Sequence, residues 1–428
     1  MRIFNKFIGN SEFKRNVLTV FSGTALSQLV SIIVTPVLAK WFYGPSDFGT
    51  FATFIAITSI FVSISSGKYE NAIILPKDDS QAYNIMRLSL YVVLFLSILL
   101  FLFCAIFHRF TMKLLGDEQL NSWIYLVPVA VFIASYNQVV SLWYIRKKEY
   151  RNLSLNRISK SMTTAGSNIG IVSFFSCNGG LILGNILGNS LSSIIMYFRM
   201  KRYYLVYEKY SINKLIFLVK KYRNFPFFVV PSEFLSVVTA QIPIFILLKY
   251  FGSSVVGNFS FVMTLLGVPL TLLAGSILDV FKERATRNYR EYGNCIDIYI
   301  KTLRHLLVFS IPLFVLFIIL SPFAFKFAFG TKWEIAGYYS QILAIMFLFK
   351  FISSPLSYTF IIASRMREDF FWHLYIFASS TIGLLVGALY FESVIVALWV
   401  FSLNYSFIYL VYLFRSYSFA KGVVPIKS

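Results

Sequence analysis

Apolar runs of about 20 residues recur along the whole chain, and few folds can accommodate them. Twelve such runs lie at about 17–42, 47–65, 87–107, 121–145, 158–176, 179–198, 226–250, 257–281, 303–325, 337–362, 371–391 and 393–414. A run of that length spans the hydrocarbon of a bilayer as a helix. Barrel strands are about half as long and alternate in polarity, so a transmembrane barrel does not fit. Charged residues make up 13% of the chain against 57% hydrophobic. Soluble domains carry about a quarter charged residues, so this surface cannot be clothed for water. The run from Val17 to about Phe42 is too long for the h-region of a secretory signal and is expected to be a retained helix.

The net charge of +21 is a topology signal rather than a nucleic-acid footprint. Of 39 Lys and Arg, 32 fall on alternate inter-span segments, including the N-terminal segment and 199–223. The positive-inside rule then places both termini in the cytoplasm. The exceptions are Lys40, Arg109, Lys113, Lys249, Lys326 and Lys332 at the other side, and Lys350 inside a span. One turn on that other side is "CNGG" at Cys177–Gly180, and another is Phe391–Ser393.

One corner is written twice. "LAKWFYGPSDFGTFA" at Leu38–Ala52 returns as "LLKYFGSSVVGNFS" at Leu247–Ser260. Lys40, Trp41, Gly44, Gly49 and Phe51 match Lys249, Tyr250, Gly252, Gly257 and Phe259. Six spans separate the copies, so the halves share one orientation, as in a parallel repeat about the membrane normal. The expected architecture is an all-α polytopic membrane protein of two six-helix bundles, 1–198 and 226–428, facing a central cleft. A basic amphipathic linker, 199–225, joins them and lies in the membrane interface.

"RNVLTVFSGTALSQLVSIIVTPVLAKWFYGPSDFGTFAT", with "SGKYENAIILP" at Ser66–Pro76, resembles the N-terminal region of the Wzx-type O-antigen flippases. These are polysaccharide repeat-unit flippases of the multidrug/oligosaccharidyl-lipid/polysaccharide exporter superfamily. The matched residues are Gly23, Gln28, Pro36, Lys40, Gly44, Asp47, Gly49, Gly67, Glu70, Ala72 and Ile73. The resemblance implies a multi-pass protein of the bacterial inner membrane. It would move undecaprenyl-pyrophosphate-linked oligosaccharide from the inner to the outer leaflet by alternating access. Membrane lipids, a polysaccharide polymerase and the chain-length machinery are the implied partners. The alternatives are a drug/cation antiporter of the same superfamily and a membrane enzyme such as a polymerase.

Passing a pyrophosphate through hydrocarbon calls for embedded cations. Lys350, near the midpoint of its span and followed by Ser353, Ser354 and Pro355, is the first candidate. Such a cation costs about 2.5–3.5 kcal/mol on insertion scales, so it faces a cavity or a carboxylate partner. Glu233, in a span carrying Pro226, Pro231 and Pro243 that predict a bend, either pairs with a lysine, with Lys350 as one option, or carries a coupling H+ or Na+. Lys40 and Lys249 guard the outer mouth or snorkel to the interface. Lys68, Glu70 and Arg87, where two spans meet the cytoplasm, greet the pyrophosphate or serve as topology charges. Asp279 acts in gating or forms a local pair with Lys282 or Arg284. No catalytic set is visible: His108, His305 and His373 are isolated, and no phosphate-cradling loop is present. The chain reads as a transporter without a bound cofactor, not an enzyme, and without a nucleic-acid partner.

Overall fold

Inside hydrocarbon every backbone N–H and C=O must be bonded within the segment, and the chain meets this demand with helices throughout. The computed structural model describes residues 11–115, 120, 123–175, 179–204, 212–363 and 365–422. The N-terminal basic residues up to 10, the turn at Cys177 and the middle of the linker, 205–211, lie outside the described residues.

The first half runs α1 (Ser11–Val37), α2 (Pro45–Ser65), α3 (Asp79–Ile106), the short α4 (His108–Leu115), α5 (Val127–Arg146), α6 (Tyr150–Phe175) and α7 (Gly180–Tyr204). The second follows with α8 (Ile212–Lys221), α9 (Val230–Phe251), α10 (Ser253–Tyr292), α11 (Ile296–Phe329), α12 (Glu334–Leu356), α13 (Thr359–Ile362), α14 (Met366–Leu389) and α15 (Val394–Ala420). Among the described residues ten helices are long and apolar enough to cross a membrane. At the other two expected spans stand α6, of 26 residues, and α14, whose apolar part is Leu374–Leu389.

The chain forms two compact units. One is Met1–Tyr43 with Thr50–Gln241, and the other is Gly44–Gly49 with Ile242–Ser428. In the first unit α6 packs between α1 and α7 through small and polar residues. The Ser154 and Ser161 hydroxyls donate to the carbonyls of Thr19 (2.8 Å) and Ser27 (2.7 Å), and Arg157 donates to the Thr24 hydroxyl. On the α7 side a Cβ at Gly184 would collide with Asn168, and one at Gly188 with Thr164. Lipid offers no hydrophobic drive for helix pairing, so close approach and interhelical hydrogen bonds carry it. This polar seam places Arg157 and Lys160 well inside α6.

The repeated corner finds its explanation in the second unit. A Cβ added to Gly49 would lie 1.7 Å from the carbonyl oxygen of Ser253, and one added to Gly257 would lie 1.7 Å from that of Pro45. The first turns of α2 and α10 thus cross backbone on backbone. Each glycine admits the carbonyl at the start of the opposite helix. The hydroxyls of Ser46 and Ser253 meet at 3.1 Å across the crossing. Phe48 stands edge-on to Phe261 and Trp333, with centroids 5.4 and 5.1 Å away. Aromatic pairs of this geometry add about 0.5–1.5 kcal/mol each beyond burial.

The prolines act locally. A π-turn at Phe225–Val229 takes up Pro226 ahead of α9, and Pro243 lies inside that helix. Ser353, Ser354 and Pro355 do not break α12, which continues to Leu356, and the Ser353 carbonyl accepts from the Ser357 N–H. Of the linker, α8 is described: Leu218 is buried in the core of the first unit, while Phe217, Lys220 and Lys221 are exposed. Cys295, beyond the end of α10, is buried, and burial pushes its thiol up to about 11. A thiol reagent would therefore reach it slowly even with free access to that side.

Candidate functional site

Among the described residues a charge cluster grows from the turn after α2. Gly67 and Lys68 both adopt the left-handed conformation, with φ of 60° and 56°. That geometry is free for glycine but costs a lysine about 1–2 kcal/mol. It ends α2 abruptly and starts a 3-10 turn at Tyr69–Ile74. Arg146, at the end of α5, staples this turn from outside. Its guanidinium donates to the carbonyls of Ile73 (3.0 Å) and Pro76 (2.7 Å) and to the Asp79 carboxylate (2.9 Å), which Lys147 also binds. The loop that carries Lys68 and Glu70 is thereby fixed by charge-assisted bonds to its own backbone.

Inside this frame the Lys68 ammonium lies 3.4 Å from Glu233 Oε1 and 4.0 Å from Glu70 Oε1. Gln138, on α5, donates to Glu70 Oε1 at 3.2 Å. The Lys68 and Glu70 side chains are 4% and 0% exposed, whereas Glu233, in the first turn of α9, is 49% exposed. One cation thus faces two carboxylates, and the outer carboxylate covers it. Glu70 Oε2 is buried and has no hydrogen-bond partner among the described residues. Such an atom carries the full desolvation penalty.

The structure therefore brings together Lys68, Glu70 and Glu233, which lie far apart in sequence. Arg87 instead lies over the ring of Tyr83 at 4.7 Å, which in turn packs edge-on to Trp143. In the second unit Lys350 is half-buried, with its ammonium 5.8 Å from the centre of the Phe347 ring, and pairs with no carboxylate among the described residues. The lysine that Glu233 pairs with is Lys68. Lys40 and Lys249 are exposed and occupy matching places, over Trp41 at 5.6 Å and over Tyr250 at 5.7 Å. Asp279 is exposed and forms neither expected ion pair among the described residues. Lys282 turns to the ring of Tyr358 instead, at 5.0 Å, and the local pair is Glu283–Arg287.

Sequence reading missed Gln138 and Arg146. Gln138 had a signal, a polar side chain with Asn137 in an otherwise apolar span. Arg146 had none, because it looks like any other charge next to Lys147 and Lys148.

A family model described as polysaccharide biosynthesis protein matches residues 37–337. No curated protein matches the chain. Among solved structures, the lipid II flippase MurJ in an inward closed conformation superposes with a TM-score of 0.72 at 14% identity, covering 93% of this chain and 87% of that one. An inward-facing multidrug resistance MATE family transporter of the MOP superfamily gives a TM-score of 0.69 at 14% identity, covering 91% and 93%. A MOP superfamily transporter from Pyrococcus furiosus gives 0.56 at 13% identity, covering 95% and 94%. At these identities the likeness is one of fold.

Proposed function

Because the chain belongs to the polysaccharide biosynthesis protein family, we propose that it is a flippase for undecaprenyl-pyrophosphate-linked oligosaccharide, an O-antigen or similar repeat unit. The observation that carries the reading is the combination of that family with a multi-pass membrane fold shared with a lipid II flippase. Within polysaccharide synthesis, a chain of this build suits the step that moves a lipid-linked sugar across the bilayer. It works in the bacterial inner membrane with both termini in the cytoplasm, as the charge asymmetry favours. Alternating access carries the headgroup, and Lys68 and Lys350 offer cations to its phosphates. In a site of reduced dielectric an ammonium is worth more to a phosphate than in water. Glu70, with its unpartnered oxygen, is the carboxylate best placed to take a coupling H+ or Na+. A polymerase receives the flipped units on the outer leaflet.

Loss of the protein should leave lipid-linked repeat units on the cytoplasmic leaflet and deplete surface polysaccharide. Units that reach the outer leaflet but fail to lengthen would instead assign a polymerase. Lys350→Ala should lower flipping about tenfold at normal membrane abundance, while Lys350→Arg keeps most of it, because a point charge is what the phosphate needs. Full activity of the alanine variant would remove Lys350 from the pathway. Efflux of a cationic dye without any effect on surface polysaccharide would favour the drug/cation antiporter.

A further inference from the structure

The Lys68 cluster holds one carboxylate more than its cation needs, and the two differ in how firmly they are held. Glu70 is fully buried, 4.0 Å from Lys68, and tied to Gln138. Glu233 is closer to Lys68, at 3.4 Å, yet half its side chain is exposed. Among the described residues it forms no other hydrogen bond or ion pair. Lys68 itself is 4% exposed and lies beneath that carboxylate. Removing Glu233 would uncover an ammonium still compensated by Glu70. Removing Glu70 would leave the buried ammonium compensated only by Glu233, a carboxylate half open to its surroundings.

We propose that Glu233 is an internal stand-in for the substrate's phosphate: it occupies Lys68 at rest, and the diphosphate of an incoming lipid-linked sugar takes its place. This rests on the flippase reading above and adds the residue that the headgroup must displace. A diphosphate suits the exchange, since it brings more charge than a single carboxylate and can contact the ammonium with several oxygens. The exchange has a structural consequence as well. Glu233 stands on α9, which belongs to the first unit through Gln241 and to the second from Ile242. The Lys68–Glu233 pair ties the start of that connecting helix to the stapled loop, and an arriving anion would release it.

The test is a sign. Full-length protein in nanodiscs is titrated with inorganic pyrophosphate and, separately, with undecaprenyl pyrophosphate. Glu233→Gln removes the internal competitor but keeps the Lys68–Glu70 pair, so the variant folds and should bind undecaprenyl pyrophosphate about tenfold more tightly than the parent. Lys68→Gln, paired with Glu70→Gln to preserve the fold, should abolish that gain in the Glu233→Gln background. Equal or weaker binding by Glu233→Gln overturns the proposal. A cation site between the two carboxylates predicts the reverse order, and tighter sodium binding on loss of Lys68 would likewise overturn it. A gain confined to inorganic pyrophosphate would assign Lys68 to a free anion and overturn the lipid assignment. Failure of the parent to flip lipid-linked sugars in proteoliposomes would count against the flippase reading alone, since the affinity gain is read without transport.

Discussion

The two copies of the corner agree at one end and part company at the other. At the corner the geometry is reciprocal: Gly49 admits Ser253 as Gly257 admits Pro45, and Lys40 and Lys249 lie over adjacent aromatic rings at 5.6 and 5.7 Å. Farther along, α2 stops after 21 residues, whereas α10 runs for 40. The divergence starts at one matched glycine. Gly67 turns left-handed and ends its helix, while Gly275, at the equivalent step, stays helical with nothing near it. The next residue is Lys68 in one copy and Ser276 in the other, whose hydroxyl merely bonds back to Leu272. The duplicated end is scaffold, and the end that lost its symmetry is where the charged cluster was built.

The largest effect that can break this contrast lies at the asymmetric end. Lys68→Met leaves Glu70 buried without its cation, which should destabilise the protein by about 3–5 kcal/mol. Adding Glu70→Gln should restore most of that, since a neutral amide beside Gln138 needs no counter-charge. Thermal unfolding followed by intrinsic fluorescence in nanodiscs reads both. A stable Lys68→Met single variant would mean that the cluster is far better solvated than its burial implies. At the symmetric end, Gly49→Ala and Gly257→Ala each drive a methyl into a carbonyl oxygen. Each should cost about 1–3 kcal/mol, the usual range for overpacking. Because the two glycines serve one crossing, the costs should be alike and the double variant less than additive. A harmless Gly257→Ala beside a damaging Gly49→Ala would show that the corner's symmetry is only in its sequence.

Much of this was legible in the chain, for identifiable reasons. Span length and the cation bias are local properties, so the helices at α3, α11 and α15 could be read directly. The corner could be read because only glycine permits backbone-on-backbone approach, and the spacing of Gly44 and Gly49 returns in Gly252 and Gly257. The pairing of Lys68 with Glu233 could not, because it joins residues brought together by tertiary packing alone. Nor could the different fates of Gly67 and Gly275. A glycine tolerates both a left-handed stop and a helix interior, and the choice falls to neighbours such as the Arg146 staple.

The smallest effect is predicted at Asp279, in the later part of the 40-residue α10. Sequence position suggested either gating or a local ion pair. The side chain is exposed, Lys282 is engaged with Tyr358, and Glu283 pairs with Arg287. An exposed charge with no such partner contributes little, so Asp279→Asn should shift stability by no more than about 0.5 kcal/mol. If the extended end of α10 is a plain scaffold, flipping should also stay within about twofold of the parent, the size of a change too small to register as a lost contact. The matched control is Glu70→Gln, which alters the cluster directly and should change transport while the amide keeps the shape of the side chain. Transport lost in Asp279→Asn at unchanged stability and abundance would place a second working carboxylate on the copy that has Ser276 where the other has Lys68. The division between a symmetric scaffold and one specialised end would then have to be redrawn as two specialised ends of different design.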